Sequence, residues 1–99
     1  MWIIDFHPEA RFDAAEATDW YLSQDRSTAM RFADALEEDL DSLRQDPLSY
    51  ATIASDIRAK SIRGFPYQLI FRAENGVIRL FAVAHHSRRA GYWNARLDD

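Results

Sequence analysis

Residues 77–93 read Val-Ile-Arg-Leu-Phe-Ala-Val-Ala and then His-His-Ser-Arg-Arg-Ala-Gly-Tyr-Trp. A nearly unbroken apolar run of this length, rich in branched and aromatic side chains, predicts a strand covered on both faces. Such a strand needs a neighbour along each edge and a layer on each side. It also delivers two histidines, two arginines and two aromatic rings to one end of the fold. The rest of the chain has to cover or flank it.

The chain before this run divides into short, well-punctuated segments. Trp2 to Phe6 is apolar and β-prone, and His7-Pro8 ends it, because proline fixes φ, lacks an N–H and suits the first turn of a helix. From Glu9 the pattern predicts a helix to about Ser23, with Ala10, Ala14, Ala17 and Tyr21 on the inner face and Asp13, Glu16 and Asp19 elsewhere. So many inner alanines imply close approach to a neighbour, with Trp20 and Tyr21 packing into the core at the far end. Gln24-Asp25-Arg26 is a polar break in which Asp25 or Ser27 can cap a second helix. Ala29, Phe32, Ala33, Leu36, Leu40 and Leu43 then form an i, i+3, i+4 stripe, and Asp46-Pro47 stops it, since the residue before proline is driven out of the helical region. Two helices joined by so short a link make a helical hairpin.

Residues 48–56 are expected to be a connecting loop with Tyr50 and Ile53 tucked under the sheet. Residues 57–63 alternate loosely, which predicts a half-exposed strand with Arg58 and Lys60 on one side. Gly64-Phe65-Pro66 makes a turn, residues 67–72 form the next strand, and Asn75-Gly76 is a strong hairpin signal leading into the opening stretch. After it, residues 91–97 form a helical turn or ordered tail carrying Tyr92, Trp93 and Arg96. The expected architecture is α+β: a two-layer β-α-α-β-β-β arrangement, a helical hairpin packed on a mostly antiparallel four-stranded sheet, with a short C-terminal helical turn. The first strand pairs beside the last and makes it internal.

Ninety-nine residues, 47% of them hydrophobic, suit a single domain over 1–99 with one core. Without cysteine there is neither a disulfide framework nor a thiolate zinc site, which suits a reducing, cytoplasmic setting. The N-terminus lacks a basic leader, and no apolar run approaches the roughly 20 residues of a membrane span, so a soluble, unprocessed chain is expected. Metal binding and cofactors are not expected, because adjacent histidines in an extended chain point to opposite sides. Charge is sharply divided: residues 1–56 hold four arginines against thirteen acids, whereas residues 57–96 hold eight Lys/Arg against Glu74 alone. This asymmetry allows two outcomes, a basic surface that attracts an acidic partner or nucleic acid, or mutual neutralisation of the halves across the fold.

Phe6-His7-Pro8-Glu9-Ala10, Trp20-Tyr21, Asp46-Pro47 with Tyr50, Ile57-Arg58, Gly64-Phe65-Pro66-Tyr67, Ala82-Val83-Ala84-His85, Arg88-Arg89 and Gly91-Tyr92-Trp93 together resemble the RelE/ParE toxin superfamily, in its ParE or plasmid-stabilisation branch. The match runs in order over almost the whole chain. The resemblance implies a small bacterial toxin made with an antitoxin that wraps it. It also implies a choice between two activities: members similar to RelE cleave messenger RNA at the ribosome, and characterised members similar to ParE block DNA gyrase.

An RNA-cleaving centre needs a base, cationic stabilisers and an acid converging on one phosphate. If this chain is a ribonuclease, His85 would exchange protons, Arg88 and Arg89 would hold the phosphate, and Tyr92 would stack a base or donate a proton. Where RelE-like sequences carry an arginine after the tyrosine of the middle strand, however, this chain has Tyr67-Gln68, and a neutral amide cannot supply that charge. A net charge of −4 is also a poor fit to a site among ribosomal phosphates. Recognition is therefore the leading expectation, with Arg58, Lys60, Arg63, Arg88, Arg89, Tyr92 and Trp93 as candidates for contact with target or antitoxin. The alternatives are a RelE-like endoribonuclease acting on ribosome-bound message, and a toxin-fold protein without toxicity that serves as interaction partner or co-repressor.

Overall fold

The computed structural model describes residues 1–98; Asp99, the last residue of the expected domain, lies outside the described residues. The elements run β1 (Ile3–Phe6), α1 (Pro8–Gln24), α2 (Arg26–Gln45), a 3-10 turn (Pro47–Ser49), β2 (Thr52–Ala54), β3 (Ile57–Ser61), β4 (Tyr67–Glu74), β5 (Val77–His85) and a second 3-10 turn (Asn94–Asp98). The strands form one five-stranded sheet in the order β1-β5-β4-β3-β2. β1 and β5 pair in parallel; the rest of the sheet is an antiparallel meander. β5 is internal as expected, between β1 and β4.

The sheet has one strand more than the four expected. β2 lies within the stretch expected to be a loop, and each of its three residues is exposed, so no alternation marks it. Ile53 is 49% exposed in this edge strand and does not tuck under the sheet. Tyr50 does, its ring centroid 6.4 Å from that of Phe71.

Local signals fix the hairpins. His7 caps α1 by accepting the Glu9 N–H on Nδ1 at 3.0 Å, and Pro8 fills the first helical position. Asp25 serves both helices: its N–H donates to Tyr21 O at 2.8 Å, closing α1, and its Oδ2 accepts the Thr28 N–H and hydroxyl at 3.2 and 2.7 Å, opening α2. Those bonds, led by the Thr28 hydroxyl, lower the pKa of the Asp25 carboxyl. Asn75 and Gly76 take φ values of 53° and 77°, the left-handed pair that a two-residue hairpin turn requires.

α2 buries Ala29, Phe32, Leu40 and Leu43 against the sheet and α1, while Ala33 is exposed, correcting its place in the expected stripe. At 100° per residue, Ala33 falls on the shoulder of a stripe centred on Phe32, Leu36 and Leu43. The sheet is covered on both faces. The helices cover one face around Phe32, Leu69, Phe71, Ile78 and Leu80; on the other, Trp93 packs with Ile57, Ile70, Phe81, Ala82 and Ala84. The C-terminal segment thus supplies a partial third layer, which explains why residues 80–84 are buried without a break.

β5 holds a bulge. Phe71 pairs with Leu80 and Ile70 with Ala82, leaving Phe81 as the extra residue. Leu80 faces the helices, Phe81 and Ala82 both face the opposite side, and Val83 returns to the helical side.

Phe32, fully buried, anchors α2. Phe32→Ala is expected to cost about 3–5 kcal/mol, whereas Met30→Ala, 61% exposed on the same helix, stays within about 0.5 kcal/mol of the parent. Urea unfolding of the two variants checks this, and equal losses would contradict the packing described.

Candidate functional site

β1 ends at Phe6, opposite Leu80, so β5 runs on past its parallel partner with an open edge. Side chains take the place of the missing strand. The Asp13 carboxylate, reaching over from α1, accepts the Val83 N–H at 3.1 Å, and the Arg96 guanidinium donates to Phe81 O at 2.9 Å. The two charges pair at 2.7 Å, with side chains only 7% and 11% exposed, and the Tyr92 hydroxyl adds a 3.3 Å bond to Asp13 Oδ2. Burial disfavours the Arg96 charge, but the hydrogen bond and charge of Asp13 outweigh it and leave the pKa raised.

Beside this knot lies a cleft of about 250 Å³ bounded by Glu16 and Trp20 on α1, Tyr67 on β4, Val83 and His85 on β5, and Arg88 and Tyr92 beyond it. The bulge at Phe81 is what turns Val83 and His85 toward the helices. His85 meets the edge of Tyr67 at 4.9 Å between ring centroids, and its Nδ1 accepts the Ser87 N–H at 2.9 Å. That bond occupies the Nδ1 lone pair of His85. Tyr92 lies under the Arg88 guanidinium at 4.1 Å and near that of Arg96 at 5.0 Å. Burial, reinforced by the Asp13 charge, pushes its phenol from 10.0 up to about 12. Its proton is held on Asp13, inside the knot.

The remaining candidates divide between internal and exposed positions. Arg58 donates to the Leu48 and Tyr50 carbonyls at 3.3 and 2.6 Å, and Lys60 pairs with Asp39 at 2.7 Å with its side chain 17% exposed. Trp93 is core. Arg72 pairs with Asp56 and Arg79 with Asp5, so, counting Arg96 and Lys60, four basic side chains of the second half meet carboxylates of the first. The halves therefore neutralise each other across the fold to a large extent. Arg63, Arg88 and Arg89 are exposed and make no carboxylate pair among the described residues. Gln68 lies on the other side of the sheet from Tyr67, where a cavity of about 160 Å³ also meets His86 and Arg89. The structure thus brings His85, Arg88 and Tyr92 together in the cleft and leaves Arg63 at a distance, beside α2.

Three residues that build the site, Asp13, Arg96 and Trp20, are absent from the sequence-based candidates for it. Asp13 is buried, not on an outer face, and its spacing could have shown this: Ala10, Asp13, Ala17 and Tyr21 are the buried positions of α1. Trp20, expected in the core, is 57% exposed at the rim of the cleft, while Tyr21 beside it is buried. Among the described residues, no group of three His, Asp or Glu side chains could hold a metal ion, and no helix is long and apolar enough to cross a membrane.

The chain superposes on a structure described as the chromosomal ParDE TA system from P. aeruginosa with a TM-score of 0.75, at 17% identity, over 86% of this chain and 96% of that one. The profile of the ParE toxin of type II toxin–antitoxin systems, parDE, matches residues 4–90. The chain belongs to the ParE toxin family. No curated protein matches it.

Removing one partner of the buried ion pair leaves an uncompensated charge. Arg96→Met is expected to cost about 3–5 kcal/mol, part of which is recovered when Asp13→Leu is added, as denaturant titration of single and double variants would show. The raised Tyr92 pKa has a definite sign: the protonated phenol's contribution is fully present below pH 10 and is lost as the pH climbs to about 12. Stability measured across that window should fall less steeply in Tyr92→Phe than in the parent, and parallel profiles would contradict the assignment.

Proposed function

We propose that this protein is a toxin that acts by binding, with DNA gyrase as the leading target, and that a cognate antitoxin neutralises it. One observation carries the preference for recognition over bond cleavage: both proton-handling groups of the candidate centre are already committed. His85 Nδ1 holds the Ser87 N–H and the Tyr92 hydroxyl holds Asp13. A ribonuclease needs such groups free to meet a 2′-hydroxyl and a leaving oxygen. Gln68 brings no charge and faces away from the cleft. Arg88, Arg89 and Arg63 are then contact residues, with Tyr92 as the platform under Arg88, while Arg58, Lys60 and Trp93 hold the frame on which they stand. A gyrase inhibitor works in the cytoplasm, and so would its antitoxin.

The test compares two reactions with the same purified chain. Supercoiling by gyrase should be inhibited in a dose-dependent way, while ribosome-bound message stays intact. Message cleavage with unimpaired supercoiling would overturn the proposal in favour of the endoribonuclease. Absence of both effects, together with harmless induction in cells, would favour a toxin-fold partner or co-repressor.

A further inference from the structure

The sheet ends in two different edges. β2, at one end, is three residues long and its register with β3 is broken between Thr52 and Ala54, both of which discourage pairing with another chain. β1, at the other end, has neither a break nor a blocking residue. Its register with β5 runs evenly from Ile3 to Phe6, it contains no proline or lysine, and among the described residues no strand lies beyond it.

Backbone direction fixes what this edge offers. The Ile3 N–H donates to Gly76 O and the His7 N–H to Leu80 O, so the odd-numbered residues of β1 turn their backbone groups toward β5. The N–H and C=O groups of Ile4 and Phe6 therefore point outward, where none meets a partner among the described residues. Side chains sort by face. Ile4 and Phe6, with Trp2 just before them, lie on the helical face and are only partly buried, and the Arg11 guanidinium sits 4.5 Å from the Phe6 ring. On the opposite face Ile3 is 66% exposed beside Val77, its partner in the register, while Asp5 pairs with Arg79.

We infer that β1 is a self-association edge, at which two copies of this chain join antiparallel about a two-fold axis through Ile4 and extend one sheet across both. A second copy fits because the strand is complementary to itself in this register and in no neighbouring one. With the axis at Ile4, the outward backbone groups of the two Ile4 residues face each other and Trp2 lies opposite Phe6, so every pair on the helical face is apolar. Asp5 then falls opposite Ile3 of the second copy. Moving the axis to Asp5 sets two carboxylates directly against each other, which repel. Moving it to Ile3 leaves Phe6 without a partner, and an axis between residues opposes outward groups with inward ones and forms no ladder. The contact is isologous. A four-residue strand is far below the roughly 20–30 residues a side of a standard interface, so the dimer is weak and concentration-dependent. The inference is independent of the proposed target and uses none of the residues of the cleft.

Sedimentation equilibrium of the purified chain over rising concentration, with amide hydrogen exchange at the two extremes, tests this on the parent, Ile3→Asp, Ile3→Lys and Ile4→Pro. Thermal melting establishes that each form is folded. The parent should show a reversible monomer–dimer equilibrium, with the Ile4 and Phe6 amides exchanging more slowly in the dimer and the Asp5 amide unchanged. Ile3→Asp sets a carboxylate opposite Asp5 twice in each dimer and should weaken association at least about tenfold, whereas Ile3→Lys sets an opposite charge there and should preserve it. Ile4→Pro removes an outward donor without touching the ladder to β5 and should abolish the dimer; since Ile3 is exposed, its two variants carry the test should Ile4→Pro not fold. A parent that stays monomeric up to about 1 mM overturns the inference. So does equal weakening by both Ile3 substitutions, which means general apolar contact in place of this register.

Discussion

The Asp13 carboxylate is the point at which α1, the far half of β5 and the C-terminal segment are held together. A parallel strand that stops short leaves backbone groups of its neighbour unpaired, and burying them without partners costs more than most single contacts return. Here a carboxylate accepts the stranded N–H and a guanidinium donates to the stranded carbonyl, so two side chains imitate the edge of a strand. Each also neutralises the charge that made the other costly to bury. The same arrangement closes an edge that would otherwise invite pairing with another chain. Trp93 can then settle on the far face of the sheet, because Tyr92 and Arg96 on either side of it reach round to the helical side.

The division of charge along the chain is resolved within the fold. Acids of the first half and bases of the second are far apart in sequence but adjacent once α2 lies over β3 and β1 lies beside β5, as Asp39–Lys60 and Asp5–Arg79 illustrate. The exposed pairs contribute little each, but they leave the surface without a large basic field. What survives is local: a few arginines near an aromatic cleft. This favours a partner selected by shape over one drawn in by long-range attraction.

Much of this was legible because it depends on strong local rules. Proline at the start of α1, Asp25 between the helices and Asn75-Gly76 at the hairpin each act within a few residues. The apolar run of β5 could be read as an internal strand for the same reason. What escaped depends on distant partners. β2 is a strand only because β3 lies beside it, and its three exposed residues carry no period. Asp13 reads as a surface acid until Arg96, 83 positions away, is brought to it. Trp20 reads as core because large aromatic residues usually are, and only the gap between α1 and the end of β5 leaves it at the rim. Within the site, the side chains supplied by the end of β5 were legible by type; the bonds that already occupy His85 and Tyr92 were not.

The bulge at Phe81 divides β5 into two halves of opposite parity. Before it, even-numbered residues face the helices; after it, odd-numbered ones do. A strand read by strict alternation from Val77 would place Ala82 and Ala84 under the helices and turn His85 to the opposite side. The single extra residue reverses that reading. It lets one continuous strand obey the register of β1 at its beginning and present a different set of side chains at its end. The location of the cleft is therefore set by a count of residues in a strand as much as by their chemistry.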